Sequence, residues 1–357
     1  MLVEIIGKVG QFNRKTMKVI VTGGLGYIGS HVTILLLEQE YDVVVVDNLS
    51  NSSLTVLDRI KEITGRTPTF EALDLQKQKD VQILFSKHHN IDGLIHFAAL
   101  KAVGESVQEP LKYYQNNING LVYLLNELVV HKIPLIFSSS CTGYGEPDMV
   151  PINEKEPLKP TVSPYGGTKQ MGETIIQDVC FANKTFNAIL LRYFNPIGAH
   201  PSGKIGEIPH GVPANLVPFL MQTAIGKRKE LFVFGADYPT PDGTCIRDYI
   251  HVMDLAHAHI LSLKFQWSKK NESNCEIFNL GTGKGNSVLE LIQTFESSTG
   301  QKINYKITSR REGDIIRAYA DPSKAKKILG WQAQQSLSSG LKSAWEWEKN
   351  WQKEEYS

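Results

Sequence analysis

Short apolar runs alternate along the first half of the chain with longer segments of helical period. Lys18–Thr22 (KVIVT) and Asp42–Val46 (DVVVV) are almost wholly apolar and β-branched, the pattern of strands buried on both faces of a parallel sheet. Between them, Tyr27–Glu40 carries Ile28, Val32, Leu35 and Leu36 at the spacing of one helix face. The alternation predicts further helices over Leu54–Ile63, Asp80–His88, Pro110–His131 and Ser163–Ala182. It predicts strands over Thr69–Ala72, Gly93–Phe97, Pro134–Ser138 and Phe186–Arg192. Parallel strands need crossovers of this length, so the pattern predicts an α/β fold built on a doubly wound parallel sheet.

The first strand–helix junction reads Gly23-Gly24-Leu25-Gly26-Tyr27-Ile28-Gly29. Glycines at this spacing permit a tight turn, close approach of a pyrophosphate and close helix–strand packing. The phosphates would sit on unpaired amides at a positive helix end. Asp47 closes the second strand, eighteen residues past Gly29. A carboxylate there accepts hydrogen bonds from an adenosine ribose and repels a 2′-phosphate, which favours NAD over NADP. An ordinary strand-end turn residue is the alternative for Asp47.

After Asn195 the texture changes. Residues 196–246 hold seven of the sixteen prolines, which predicts loops and short elements over a binding surface. Regular pattern returns as helices over Asp254–Leu263, Val288–Ser298 and Ser323–Leu329 and a strand over Glu276–Leu280. The expected division is an N-terminal extension (1–16), a Rossmann NAD-binding domain (17–195, with 247–285 returning to it), and a smaller α/β substrate-binding domain (196–246 and 286–357). Met1–Thr16 lacks a basic start and an unbroken apolar run, so it reads as an extension rather than a signal peptide.

Composition narrows the partners. The chain has 357 residues, 41% of them apolar, and a net charge of +1, with no electrostatic footprint for nucleic acid or anionic membrane. No apolar run approaches the ~20 residues that span a bilayer. Four widely spaced cysteines (Cys141, Cys180, Cys245 and Cys275) without a CxxC pair point to free thiols, a reducing compartment and a cytoplasmic location. Ten scattered histidines predict no metal site.

Tyr165 and Lys169 stand four apart, on one side of a predicted helix. A phenol titrates near 10, and making it a base at neutral pH takes about three pKa units, roughly 4 kcal/mol. One ammonium at ~4 Å in an effective dielectric of ~20 supplies about that much. Ser138-Ser139-Ser140 ends the preceding strand, where a doubly wound sheet presents its ligands, and a serine there can bond the hydroxyl that Tyr165 deprotonates.

With the stretches VTGGLGYIGSH, VVDNLS, HFAALKAVGESV, SSSCTGYGEP, SPYGGTK, LLRYFNPIGAH, VPANLVPF, GTCIRDYIHVMDLA, FNLGTGKGNSV and RREGD, the chain from Met17 to about Trp347 resembles the extended short-chain dehydrogenases/reductases, and among them the UDP-glucose 4-epimerases. The resemblance implies Tyr165 as base, Lys169 as its electrostatic partner and ribose ligand, and Ser140 as the residue that positions the hydroxyl. Besides Gly23, Gly26 and Gly29, it implies NAD contacts at Tyr27, Ile28, Asp47, Asn48, Asp74, Leu75, Phe97, Ala98, Lys101, Asn116 and Phe194, together with the catalytic three. UDP-sugar contacts are implied at Thr142, Asn195, Asn215, Leu216, Arg247, Arg311 and Asp314, with Ser140 and Tyr165. Guanidinium forks suit a diphosphate, although Arg247 could instead pair with Asp248.

The implied reaction interconverts UDP-glucose and UDP-galactose. The C4 hydride passes to a tightly held NAD, the 4-ketose turns over in the pocket, and the hydride returns to the other face. A homodimer formed through the Pro110–His131 and Ser163–Ala182 helices is also implied. Position 318 bounds the hexose 2-substituent in such enzymes; Ala318 leaves room there, so UDP-GlcNAc and UDP-GalNAc are expected to be interconverted too. Cys141 and Gly143 depart from the alanine and valine common in the family. Gly143→Val is expected to keep or raise activity. A nucleotide-sugar 4,6-dehydratase is the nearest rival, but it would carry an Asp-Glu pair where this chain has Cys141-Thr142. A decarboxylase and a non-catalytic NAD-sensing scaffold are the further alternatives.

Overall fold

The computed structural model describes residues 16–209, 211–311 and 313–355. Apart from Thr16, the expected N-terminal extension lies outside the described residues. The chain opens with β1 (Lys18–Thr22), α1 (Tyr27–Glu38), β2 (Asp42–Val46), α2 (Thr55–Thr64), β3 (Thr69–Glu71), α3 (Gln78–Lys87) and β4 (Gly93–His96). It continues through α4 (Val103–Gln108), α5 (Pro110–Tyr114), α6 (Gly120–His131), β5 (Leu135–Ser140), α7 (Pro164–Ala182), β6 (Ala188–Tyr193) and β7 (Asn195–Ile197). Then come α8 (Leu216–Ala224), β8 (Leu231–Phe234), β9 (Ile246–Arg247), β10 (Tyr249–His251), α9 (Val252–Trp267) and β11 (Cys275–Leu280). The last elements are β12 (Asn286–Ser287), α10 (Val288–Thr299), β13 (Tyr305–Thr308), β14 (Arg317–Ala318), α11 (Ser323–Leu329) and α12 (Leu337–Glu355).

Seven strands form one all-parallel sheet in the order β3-β2-β1-β4-β5-β6-β11. This is the predicted doubly wound α/β architecture. Its β-branched strands are buried on both faces, from Val19–Val21 through Val43–Val46. On one face, α1, α2 and α9 bury Val32, Ile34, Ile60, Leu255 and Ile260. On the other, α3, α6 and α7 bury Val81, Leu84, Leu124, Leu128 and Ile176. Strand order reverses between β1 and β4, which opens the crevice beyond their carboxyl ends where such sheets hold ligands.

The remaining strands form the small sheets β7–β10, β12–β9–β14 and β8–β13. A separate core packs α8, α10 and α12 around Leu220, Val233, Phe295, Leu341 and Trp345. Among the described residues, no helix is long and apolar enough to cross a membrane.

Several helical segments differ from expectation, with α4 and α8 forming where no helix is predicted, and two others are instructive. The run 110–131 is interrupted by a π-helical turn at Gln115–Asn119. There Asn117 turns inward: its Nδ2 donates to Leu100 O and to Thr168 Oγ1 (3.0 Å each), and its Oδ1 accepts from Leu100 N (2.9 Å). These tertiary bonds leave no trace in hydrophobic period. The helix α12 was not predicted because its apolar face is narrow. Leu341, Ala344, Trp345 and Glu348 keep the helical i, i+3, i+4, i+7 spacing and are buried, but charged residues surround them.

Candidate active site

The glycine turn is built by steric exclusion. Gly23 has a left-handed φ of +67°, and a Cβ on it would lie 2.6 Å from Ala98 N. A Cβ on Gly29 would lie 2.2 Å from Gly23 O. Helix α1 starts at Tyr27 on a Gly26 cap, with no side-chain cap bond and no acidic residue in its first turn. Its free amides therefore face the crevice with a positive end uncompensated, a cradle that fits a pyrophosphate.

Asp47 is buried at the end of β2. Its Oδ2 accepts from Leu25 N (3.1 Å), and its Oδ1 accepts from Leu49 N (3.0 Å) and Ser52 Oγ (2.7 Å). The carboxylate thus braces the turn and still has a lone-pair site for a ribose hydroxyl. Asn48 reaches toward Asp74 at a long 3.5 Å. Leu75 is buried against Gly120, and Phe97 stacks its ring 4.8 Å from His259. Lys101 pairs with Glu207 (2.7 Å), and Asn116 donates to Asn117 Oδ1 (2.8 Å). Gly23, Ala98 and Asp47 converge on the turn; Asn48 and Asp74 lie farther out, on the exposed rim.

The catalytic candidates meet where β5 ends and α7 begins. Ser163 caps α7 by accepting from Gly166 N (3.2 Å), with Pro164 at the first helical position. Ser140 Oγ accepts from Thr142 N (3.2 Å) and Thr142 Oγ1 (3.1 Å), and it lies near enough to the Tyr165 phenol to favour its ionised form. Lys169, only 6% exposed, donates to Ser138 O at 2.6 Å, with its ammonium 5.1 Å from the Phe137 ring centroid.

Here the electrostatics depart from expectation. Burial pushes the Tyr165 phenol up to about 12, and Ser140 only partly offsets it. The Lys169 ammonium donates to the Ser138 carbonyl, and the influences acting on the phenol are burial, Ser140 and Cys141. Burial also pulls the Lys169 ammonium down to about 8, with Glu173 opposing the fall. The further lowering of Tyr165 must come from a second cation.

Sequence reasoning missed the network behind this site. Glu173 lies two turns along the Tyr165–Lys169 face and pairs with Arg192 (2.5 Å), the two being 2% and 3% exposed. Its carboxylate also accepts from Ser139 Oγ. Arg192 donates to Tyr144 Oη (2.8 Å), which donates to Asn279 Oδ1 (2.7 Å). The i, i+4, i+8 recurrence of Tyr165, Lys169 and Glu173 was the available signal.

A second cluster forms around β9 and β14. Arg311 Nη2 pairs with Asp314 (2.6 Å), and Arg247 Nη2 lies 3.9 Å from the same carboxylate oxygen. Arg247 also donates to Ile315 O (2.6 Å). The Arg247–Asp248 pairing is overturned: Asp248 is buried and accepts from Thr282 Oγ1 (2.6 Å), Gly283 N and Ala320 N (3.1 Å each). Asn195 N donates to Asp248 O (2.9 Å), and Asn215 caps α8 ahead of Leu216. Ala318 is buried with Phe194 and Tyr144, against Cys141. Cys141 lies within electrostatic reach of Arg247 and of the Tyr165 phenol, which links the two clusters. A Cβ on Gly143 would lie 3.3 Å from both Gln170 Cγ and Leu158 Cδ2. Among the described residues, no group of three or more His, Cys, Asp or Glu is placed to hold a metal.

Residues 20–344 match the family model described as GDP-mannose 4,6 dehydratase. The UDP-glucose 4-epimerase of Dictyostelium discoideum is 51% identical over 332 residues, 93% of this chain and 95% of that one. The chain belongs to the UDP-glucose 4-epimerase family. Among solved members, the Stenotrophomonas maltophila UDP-glucose-4-epimerase with bound NAD and formylated UDP-arabinopyranose matches with a TM-score of 0.91 at 44% identity, over 95% of this chain and 99% of that one. The Bifidobacterium longum member, in complex with NAD+ and UDP, matches at 0.89 and 45%, over 94% and 98%.

Proposed function

We propose that this chain is an isomerase that interconverts UDP-glucose and UDP-galactose. The observation that carries the reading is the grouping of Ser140, half-buried Tyr165 and buried Lys169 at the end of the sheet that also carries the glycine turn. The carboxylate pair that dehydration needs is replaced by Cys141 and Thr142 in a short turn. The cradle, Asp47, Lys101 and Lys169 would hold NAD. Bound there, NAD would supply a reversible hydride acceptor for the sugar C4 and a cationic ring that favours the Tyr165 phenolate.

Tyr165 removes the proton from the sugar O4 and returns it after the 4-ketose has presented its other face. Ser140 and Thr142 orient that oxygen. Arg247 and Arg311 grip the diphosphate while the hexose turns. Asn195, Asn215 and Leu216 hold the nucleotide end. Residues 17–195 with 247–285 serve the dinucleotide, and 196–246 with 286–357 serve the substrate. Ala318 leaves room for an N-acetyl group, so UDP-GlcNAc and UDP-GalNAc are also interconverted. The outer faces of α6 and α7, which expose Val130, Met171 and Phe181, join two copies into a homodimer.

The test is incubation of purified protein with UDP-galactose and no added NAD. UDP-glucose should form with wild type, and at least about a thousandfold more slowly with Tyr165→Phe. Equal rates would refute the assignment of Tyr165, and no product from wild type would refute the function.

A further inference from the structure

The segment from Gly198 to Pro209 crosses from β7 toward α8 over the start of α1, and it is fastened from two sides. On the sheet side, Tyr27 Oη donates to Gly198 O (2.6 Å) and Arg59 donates to Lys204 O (3.1 Å). On the α12 side, Asn350 Nδ2 donates to Gly203 O (3.0 Å) and Trp347 Nε1 donates to Glu207 O (2.9 Å). Gly206 lies flat under the Trp347 ring, where a Cβ would come within 2.4 Å of Cδ1. The segment also folds on itself, with His200 N donating to Ile205 O (3.0 Å).

One charged fastening lies beside the cradle. Glu207 Oε1 meets Lys101 Nζ at 2.7 Å, with the glutamate largely covered and the lysine half exposed. The same ammonium sits 5.8 Å from the centroid of the Tyr27 ring, at the first residue of the helix that closes the glycine cradle. The strap makes a second ion pair, Lys204–Glu62 (2.9 Å), whose two side chains are both about half exposed. The Lys101–Glu207 bridge is the better covered of the two and the one beside Tyr27. An ammonium has three donors, so Lys101 can hold Glu207 and a phosphate oxygen together. Glu207 is not among the residues assigned to cofactor or substrate above.

We infer that the Lys101–Glu207 bridge is a latch that closes the 198–209 strap over the dinucleotide and sets how fast NAD enters and leaves. The inference rests on the NAD reading above. The protein's own residues make the bridge, so opening it lowers the barrier in both directions. A lost ligand contact would instead speed release alone.

The full-length protein is loaded with NADH, desalted, and diluted into excess NAD while nicotinamide fluorescence is followed; entry is measured by stopped flow. In Glu207→Gln, release and entry should both accelerate by about 2- to 5-fold, the weight of a partly exposed ion pair, with Kd moving less than twofold. Asn350→Ala, which frees the strap at its far side, should shift both rates in the same direction. Unchanged rates in a folded Glu207→Gln protein, or faster release with unchanged entry, would overturn the latch. Should Glu207→Gln fail to fold, Asn350→Ala alone decides on the same criteria. Wild-type protein that neither carries NAD through purification nor takes up NADH would remove the NAD reading itself, which is a separate result.

Discussion

Replacing Glu173 by glutamine keeps the shape of the residue and removes its charge. In the structure its carboxylate takes three contacts of 2.5–3.2 Å from Arg192 and a further bond from Ser139. Both ionic partners are almost wholly buried, so the change strands a guanidinium in the interior. Breaking a buried pair from one side costs about 3–5 kcal/mol, against a total stability on the order of 5–15 kcal/mol. The variant should still fold, with a markedly lower urea midpoint by far-UV circular dichroism. Glu173→Gln/Arg192→Met, which leaves neither charge unpaired, should recover most of the loss. A second readout concerns catalysis. Glu173 supports the Lys169 ammonium, which burial has already drawn down to about 8. Without that support the ammonium loses its proton at lower pH, so the alkaline limb of turnover should move acidward. A glutamine variant within about 1 kcal/mol of wild type, with an unmoved alkaline limb, would refute the account of this network.

Four further outcomes are expected. Burial holds His31 and His96 down to about 3 and His251 and His259 to about 4, so the folded state keeps them neutral. That contribution is intact above pH 6.5 and is lost as pH falls from 6.5 toward 4, because the unfolded chain takes up the protons first. The slope is about 1.4 kcal/mol per histidine per pH unit, and acid titration by circular dichroism should show unfolding before pH 4. Native signal at pH 4 would contradict it. Gly29→Ala drives a Cβ into Gly23 O and should abolish NADH binding, read by fluorescence titration. Ala318→Tyr should suppress turnover of UDP-GlcNAc at least tenfold while sparing UDP-galactose, compared by product chromatography. For Gly143→Val, the close approach of Gln170 and Leu158 predicts a cost of about 1 kcal/mol or more, read as a lower Tm.

What was legible in the sequence was what repeats or excludes. The β-branched runs could only be buried strands, and the glycine turn could only be a close approach, so the sheet and its cradle were readable. The Tyr165–Lys169 spacing was also readable, because a helix turns at a constant rate. The sign of the electrostatic balance was not. The spacing places an ammonium near a phenol, but it does not show that the ammonium is already bonded to Ser138 or that burial outweighs it. Glu173 recurs on the Tyr165–Lys169 face, but its partner Arg192 lies nineteen residues on in another element, and nothing local marks the pairing. The α12 helix was hidden for a different reason: charged residues are interleaved with the positions it buries, Gly340, Leu341, Ala344, Trp345, Trp347 and Glu348, one of which is itself charged.

The edge strand β11 is supplied about eighty residues after its neighbour β6. At the ~5–20 residues per second of ribosomal synthesis, the nascent sheet would carry an open flank for several seconds, with unmet backbone donors and acceptors along Ala188–Tyr193. Completion of the seven-stranded sheet thus waits on translation of the intervening segment, and truncations upstream of Cys275 should leave sticky, chaperone-dependent products rather than a free-standing module.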